Sequence, residues 1–475
     1  MNDKKLQPLC VDLDGTLVLT DTLHESLILL LKNNLLYIFL LPWWFLKGKA
    51  FFKDQIARRV KLTPELLPYN KNVLDYIKEK NQQGSKLYLV TASHQSVADG
   101  VADHLGIFTG QFGSNENANY KGNKKAAFLN DKFGQRQYDY IGNDAADLPV
   151  WAASANAIVA CASQSLVRKA AAINKNVTQI KNETGTKLFS YLKMMRMHQW
   201  VKNLLIFLPL LLSHTVTDID KFFQVCYGFI LFSFAASGIY IFNDLIDLNN
   251  DRAHPKKSKR PLATGEVPVS HGFIAGTLLW SISLIVSFIY FDLLFLLMVG
   301  YIVLNFLYST TLKKLVLIDV VVLAGFYTIR IIIGSVMAVA DISFWLLTFS
   351  LFVFFSLALV KRYSEIAFHT EDNTGVRGRG YHSEDELITT ILGVASGLMS
   401  ILVMALYIHD PHTQQLYSNS NWLWLTIPVL LYWMSRLWLL AHRRQITDDP
   451  ILFALKDVES YATAVLLMFG FYMAI

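Results

Sequence analysis

FNDLIDLNNDRAHPKKSKRPLATG, residues 242–265, is the stretch on which the reading of this chain turns. It follows an apolar run near 221–242 that is long enough to cross a bilayer core of about 30 Å. Asn243, Asp247 and Asp251 stand four residues apart, so a continuing helix puts all three side chains on one face. Three hard oxygen donors on one stripe at the mouth of a span form a magnesium site suited to a diphosphate. Asp244 lies about 100° around the helix from Asn243 and is read as support for those ligands. Arg252, Lys256, Lys257, Lys259 and Arg260 follow; they supply partners for phosphate, and basic loops of this kind also set topology.

Outward from that segment the chain has two unlike halves. From about residue 200 onward, nine apolar runs are read as spans, near 200–213, 221–242, 270–290, 292–308, 315–339, 343–361, 386–408, 421–441 and 459–475. Alternate loops, at 249–261, 309–315, 361–386 and 442–458, carry nearly all the Lys and Arg, whereas the opposite loops hold only Lys221. The positive-inside rule then places the N-terminal half in the cytoplasm and the C-terminus outside, in a multi-pass protein of a bacterial inner membrane. Residues 1–185 alternate short apolar runs with polar helical stretches and are expected to form a soluble domain. The polar stretch INKNVTQIKNETGTK, 173–187, is expected to connect it to the membrane domain, 186–475.

Composition agrees. Of 475 residues, 53% are hydrophobic and only 17% charged, against about 25% charged in an ordinary soluble domain. A chain this apolar is not intrinsically disordered. The net charge, 43 − 37 = +6, is too modest to argue for nucleic acid. Three scattered cysteines, Cys10, Cys161 and Cys226, exclude a disulfide framework or zinc module. The opening MNDKKLQPLCVDLDGTL is not read as a cleavable signal, since a polar stretch runs directly into a strand.

In the soluble half, LCVDLDGTL (9–17) is an apolar strand ending in Asp12 and Asp14. Period-two alternation sets both carboxylates on one side at the carboxyl end of the strand, where open α/β sheets bind ligands. One such acid can attack phosphorus while its neighbour moves a proton. KLYLVTAS (86–93) is a second buried strand ending near Thr91, YKGNKKAAFL (120–129) puts Lys125 near a helix start, and YDYIGNDAADLPVW (138–151) is a third strand with a Gly-Asn-Asp-x-x-Asp turn. These segments resemble the four motifs of the haloacid dehalogenase superfamily, phosphoserine-phosphatase type. The resemblance implies a Rossmann-like α/β fold with a helical cap, Asp12 as nucleophile and Asp14 as general acid/base. It further implies Thr91 and Lys125 on the phosphoryl oxygens, and Mg²⁺ held by Asp12, Asp14, Asn143, Asp144 and Asp147. The family pattern has Asp where Asn143 stands, and an amide oxygen ligates magnesium more weakly. The cap is expected at about 20–80. Within it, ESLILLLKNNLLYIFLLPWWFLKG (25–48) is read either as cap core or as a membrane-facing surface flanked by Lys47, Lys49 and Lys53.

The segment at 242–265 resembles the first aspartate-rich motif of the UbiA superfamily of intramembrane prenyltransferases, a fold of nine transmembrane helices. RMHQWVKNLLIFLP (196–209), YSTTLKKLVLID (308–319), LVKRYSEI (359–366) and DDPILFALKD (448–457) resemble its polyprenyl-phosphate phosphoribosyltransferase branch. Where aromatic prenyltransferases carry a second aspartate-rich motif, this chain offers Lys313, Lys314 and a single Asp319, then Lys361, Arg362 and Glu365. The resemblance implies Mg²⁺ on Asn243, Asp247 and Asp251, with Asp247 and Asp251 catalytic. Lys202, Arg252, Lys259, Arg260, Tyr308, Lys313, Arg330, Lys361, Arg362 and Glu365 are the expected contacts of substrate. Arg330 lies 330 − 319 = 11 residues from Asp319, on the same helix face; an intramembrane Arg is either a pocket contact or part of an ion pair. Arg436, near a span end, is expected to snorkel.

Together the halves imply a bifunctional enzyme with one Mg²⁺ site in each domain. Its expected partners are polyprenyl phosphate, phosphoribosyl diphosphate and the membrane, with no nucleic acid and with self-association left open. An aromatic prenyltransferase, or a lipid-binding or transport protein with a regulatory phosphatase-like domain, are the alternatives.

Overall fold

The computed structural model describes residues 6–115, 119–181, 187–369, 379–446 and 449–475. The chain forms two compact units, Met1–Arg196 with Tyr240–Leu278, and Met197–Ile239 with Leu279–Ile475.

The first unit is built on a six-stranded parallel sheet of order β3-β2-β1-β4-β5-β6. Its strands are β1 Leu9–Val11, β2 Leu87–His94, β3 Gly110–Ser114, β4 Asp139–Gly142, β5 Ala157–Ala160 and β6 Val177–Ile180. Side-chain alternation decides which face each residue serves. Leu9 and Val11 pack with Leu87, Leu89 and Ile141 in one core, while Cys10 packs with Val90, Tyr140 and Val159 in the other. β1 lies between β2 and β4, so the chain order reverses beside it. Ligands of open α/β sheets bind at such a switch point, past the carboxyl ends of the strands.

Between β1 and β2 run α1 Thr22–Asn33, α2 Leu41–Leu46, α3 Lys49–Ala57 and α4 Lys71–Gln82. Asp21 caps α1, its side chain accepting from Leu23 and His24 N–H. Leu30, Trp44, Ile56 and Val60 form the cap's own small core. α4, inside the stretch expected as cap, packs instead on the sheet through Val73 and Ile77. The stretch expected as a connector also differs: Val177–Ile180 pairs with β5 as the sixth strand. It reads as polar because it is an edge strand and only half-buried. Residues 182–186 of that connector lie outside the described residues.

Among the described residues, seven helices are long and apolar enough to cross a membrane: Ile219–Ile246, Val269–Tyr290, Asp292–Thr310, Ile318–Met337, Phe344–Ala367, Ser383–His409 and Ser420–His442. The expected nine spans are therefore not all present at full length. Met197–Leu212 and Val458–Ala474 are shorter apolar helices. The first opens as a 3-10 stretch, Met197–Phe207, in which Lys202 and Asn203 serve polar partners rather than lipid. Packing in the second unit depends on small residues, as in membrane helix pairs. A Cβ on Gly393 would stand 2.0 Å from the Trp438 ring. Trp438 Nε1–H donates to Ser356 Oγ (3.0 Å), which donates to the Gly393 carbonyl (2.7 Å).

Candidate functional site

At the end of β1, Asp12 Oδ1 accepts from its neighbour Leu13 N–H and from Lys125 Nζ, both at 2.9 Å. Lys125 extends from α5 Asn123–Phe133 and also donates to Tyr140 Oη (2.8 Å), which donates to Asp147 Oδ1 (2.8 Å). Asp147 Oδ2 accepts the main-chain N–H of Asn143 (3.0 Å) and of Asp144 (3.1 Å), so both its oxygens tie the turn together. Asn143 Oδ1 accepts from Thr16 (3.1 Å). Its amide lies against Gly15, at φ +71°, where an added Cβ would meet Asn143 Nδ2 at 2.2 Å. Only glycine fits there.

Asp14 accepts from Thr22 N–H (2.8 Å) at the start of α1 and from Ser93 Oγ (2.5 Å) at the end of β2. Burial pushes the Asp12 carboxyl up to about 7, against Lys125, which lowers it. Burial likewise raises Asp14, with Asp21 adding to the shift. Thr91 is buried, and its hydroxyl accepts from Ser93 N–H (3.0 Å). From the cap, Lys53 Nζ reaches the Ala92 carbonyl (2.7 Å). Burial lowers its pKa, against Asp14 and Asp21, which raise it. Lys53 lines a cavity of about 270 Å³ with Asp21, Lys49, His94 and Lys121.

The acidic motif lies in the same unit. The helix breaks at Asp247 and resumes as Leu248–Ala253, yet Asp247 N–H bonds Asn243 O (2.9 Å) and Asp251 N–H bonds Asp247 O (2.8 Å). The four-residue register therefore continues through the break. Each acid is matched by a cation. Arg260 donates to Asp251 (2.5 Å) and to Asp244 (3.0 Å), Asp244 also pairs with Arg196, and Lys32 of α1 lies 3.6 Å from Asp247. Arg252 makes a two-pronged pair with Glu25 of α1 (2.9 and 2.6 Å), both side chains buried. Helix α1 thus carries Thr22 on Asp14, Glu25 on Arg252 and Lys32 beside Asp247.

The second unit holds its own charged cluster. Arg362 donates to Asp319 Oδ2 (2.6 Å) and pairs with Glu365. Arg379 reaches Asp319 (3.3 Å), Glu365 (3.3 Å) and Tyr308 Oη (3.2 Å). Tyr381 Oη donates to Asp319 Oδ1 (2.8 Å) and accepts from Leu317 N–H (2.9 Å). Leu317, at φ +64°, is thereby held in a strained turn. Arg362 Nη2 is buried without a partner among the described residues. Lys361, the preceding residue, is in Coulomb range of Glu365 and Asp449. Asp449 pairs with Lys202; burial raises its carboxyl, but Lys202 and Lys361 hold it below the ordinary range. Lys202 also lines a largely apolar cavity of about 1150 Å³ in this unit, with Leu205, Leu208, Phe354, Met404 and Trp433 among its walls.

The UbiA prenyltransferase family matches residues 204–458, more than half of the chain. The chain belongs to that family. It is 36% identical over 476 residues, 99% of this chain and 92% of the other, to the uncharacterised protein y4nM of Sinorhizobium fredii. It is 33% identical over 194 residues to decaprenyl-phosphate phosphoribosyltransferase of Mycolicibacterium smegmatis, covering 40% of this chain and 60% of that protein. Among solved structures, a phosphoserine phosphatase phospho-aspartyl intermediate analogue is similar over 35% of this chain and 91% of that one, at 17% identity and a TM-score of 0.27. With seven apolar helices and this membership, the chain is a multi-pass membrane protein.

Within this UbiA-family chain, the expected phosphatase-type residues Asp12, Lys125, Asn143 and Asp147 converge, with Asp14 held beside them through Thr22 and Ser93. Asp144 is exposed and caps the turn, its Oδ1 accepting from Ala145 N–H (2.5 Å). Asn243, Asp247 and Asp251 hold one register beside Arg252 and Arg260. Among the described residues, Lys259 enters through its carbonyl, which accepts from Lys193 (3.0 Å). Tyr308, Arg362 and Glu365 share one cluster, while Lys202 and Lys361 meet around Asp449. Lys313 lies in the short turn Leu312–Lys314. Arg330 does not meet Asp319: it donates to Asn203 Oδ1 (2.9 Å) and the Phe326 carbonyl, and lies over Phe232, Tyr301 and Tyr327. Arg436, expected to snorkel, pairs with Asp457 (2.7 Å) and Glu459.

Lys32, Lys53, Ser93, Tyr140, Arg196, Arg379, Tyr381 and Asp449 were not legible as site residues. Tyr140 could have been suspected, being a polar side chain inside a buried strand.

No three His, Cys, Asp or Glu side chains are grouped to hold a metal among the described residues. Asp12 Oδ2 has no hydrogen bond among the described residues, and Asn143 supplies a second hard oxygen; this pair fits magnesium with one charge fewer than two carboxylates. In the acidic motif the donors suit magnesium as well, once the ion pairs to Arg260 and Lys32 open.

Proposed function

We propose that this chain is a bifunctional membrane enzyme that transfers 5-phosphoribose from phosphoribosyl diphosphate to a polyprenyl phosphate and then removes the 5-phosphate. Both sites would face the cytoplasm of a bacterial inner membrane. The observation that carries this reading is helix α1, which touches the phosphatase-type Asp14 at one end and the acidic motif through Glu25 and Lys32 along its length. Two phosphate-handling sites sharing one helix make sense if one hands its lipid-bound product to the other, at a high effective concentration.

In the transfer step, a phosphate oxygen of the polyprenyl phosphate attacks C1 of the ribose as the bond from C1 to diphosphate breaks. Asn243, Asp247 and Asp251 would hold Mg²⁺, which when bound offsets the charge of the departing diphosphate. Within the second unit, Lys361 and Lys202 around Asp449 suit a phosphate, Tyr308 and Glu365 suit the hydroxyls of a sugar, and the apolar cavity suits a prenyl chain. In the second step Asp12 attacks the 5-phosphorus and the P–O5 bond breaks. Asp14 gives its proton to O5, an acid role that its raised pKa favours. Water then attacks the aspartyl phosphate, Asp14 takes its proton, and inorganic phosphate leaves. The lysines of the small cavity, Lys49, Lys53 and Lys121, suit a substrate that carries a second phosphate beyond the one removed.

Two outcomes follow. Purified protein with polyprenyl phosphate and Mg²⁺ should release diphosphate from phosphoribosyl diphosphate and not from an isoprenoid diphosphate offered with an aromatic acceptor. Release only from the isoprenoid donor overturns the reading in favour of an aromatic prenyltransferase, and release from neither favours a non-catalytic protein.

On a soluble phosphate monoester, the acid limb of kcat/KM should lie near the raised value of Asp12, about 7, because only the carboxylate attacks. Activity is therefore lost as pH falls through that limb. Raising Mg²⁺ should move the limb to lower pH, since a cation beside Asp12 favours its ionised form. A limb unmoved by Mg²⁺ removes Asp12 from the metal set.

A further inference from the structure

The cap of the first unit exposes a face that no water-facing surface needs. Residues 35–46, LLYIFLLPWWFL, contain no charged side chain. They fold as a short 3-10 turn, Leu35–Phe39, and the six-residue helix α2. Trp44 turns inward to Leu30, Ile56 and Val60. Tyr37 and Leu41 pack beside it, whereas Leu35, Leu36, Ile38, Leu40, Trp43 and Phe45 are exposed, with Phe39 at 77% and Leu46 at 81%. A contiguous apolar patch of this kind marks an interaction surface.

We propose that this face is an interfacial membrane anchor, seated in the headgroup and upper acyl region of the bilayer that the same chain crosses. The placement follows from contacts within the unit. Lys32, at the end of α1, lies 3.6 Å from Asp247, the first residue beyond the apolar helix Ile219–Ile246. The exposed run starts three residues after Lys32, so it begins at the level where that helix leaves the membrane. The buried Glu25–Arg252 pair fixes α1 to the same loop. Twelve residues in two short turns are too few to cross a bilayer, which takes about 20 helical residues; the run lies in the interface instead. Its chemistry fits that depth, with Trp43 exposed and Lys47 Nζ over its ring (5.1 Å), a pairing suited to anionic headgroups. Lys49 follows at the start of α3. Such an anchor holds the cap at the surface from which a lipid-linked substrate is taken, and it stands whichever reaction the two sites perform.

The test uses the full chain in nanodiscs of phosphatidylethanolamine and phosphatidylglycerol, one copy per disc. Nitroxides are placed by Phe39→Cys and Leu46→Cys, with Lys78→Cys on α4 as the aqueous control, in a background lacking the three native cysteines. The anchor predicts collision with O₂ over collision with an aqueous nickel chelate by about tenfold at the first two positions, and the reverse at the control. Nickel accessibility equal to the control overturns it. Hydroxyl-radical footprinting of the unmodified chain reads the same face without substitution. Phe39, Trp43 and Phe45 should be protected in single-copy discs while Ile173, exposed elsewhere on the first unit, is oxidised. Protection that appears only when several copies share a membrane assigns the face to a second copy and overturns the anchor.

Discussion

Asp12→Asn is expected to abolish dephosphorylation, by on the order of 10³-fold or more, while leaving phosphoribosyl transfer in place. The amide keeps the shape and can still accept from Lys125 and Leu13 N–H, but it cannot form an aspartyl phosphate. Lys125, buried and paired to Asp12 (2.9 Å), loses its counter-charge, and Asp147, 3.9 Å away, keeps the site from being left with a lone cation. The lipid product should therefore accumulate with its 5-phosphate, and turnover of a soluble monoester should vanish. Unchanged monoester turnover would remove Asp12 from the chemistry.

Lys361→Met is expected to cost the transfer reaction on the order of 10²-fold in kcat/KM for the phosphoribosyl donor, with little change in thermal midpoint. Its ammonium is balanced by Glu365 and Asp449 but makes no hydrogen bond among the described residues, so its removal breaks little in the resting protein. Arg362 is the contrast. Asp319 is fully buried and depends on it, and Arg362→Met would leave that carboxylate short of charge at a stability cost of about 3–5 kcal/mol. A Lys361→Met enzyme that keeps full transfer, measured by diphosphate release, would confine this lysine to a structural role. Monoester turnover in the same sample reports that the first unit is intact.

How far the sequence reaches depends on how local each signal is. Asp12 and Asp14 are legible because an apolar strand, ending at Val11, runs straight into them, and Asn243, Asp247 and Asp251 because one helical turn separates each from the next. Thr22 and Lys53 are not, because they meet the site only through the fold of the cap on the sheet, nor is Ser93, which reaches Asp14 only through the pairing of β2 with β1. Arg379 reaches Asp319 across 60 residues and Lys202 reaches Asp449 across 247, distances at which no periodicity carries information. Arg330 shows the opposite error. Its spacing from Asp319 is correct for a shared face, yet Arg362 and Tyr381 already satisfy that carboxylate, and Arg330 sits three turns deeper among Asn203 and three aromatic rings. Val177–Ile180 passes for linker because an edge strand with one neighbour needs few apolar residues. The 25–48 segment offers two readings from sequence for a simpler reason: Trp44 belongs to the cap core, while Trp43 beside it is exposed.

The direct test of the two-step account is the mass of the lipid made by the purified wild-type chain from polyprenyl phosphate, phosphoribosyl diphosphate and Mg²⁺. Consecutive transfer and hydrolysis give polyprenyl-phosphoryl ribose without its 5-phosphate, preceded at early times by the 5-phosphate form. A 5-phosphate product that persists to completion, in protein that still hydrolyses a soluble monoester, would contradict it and give the phosphatase-type site a different substrate.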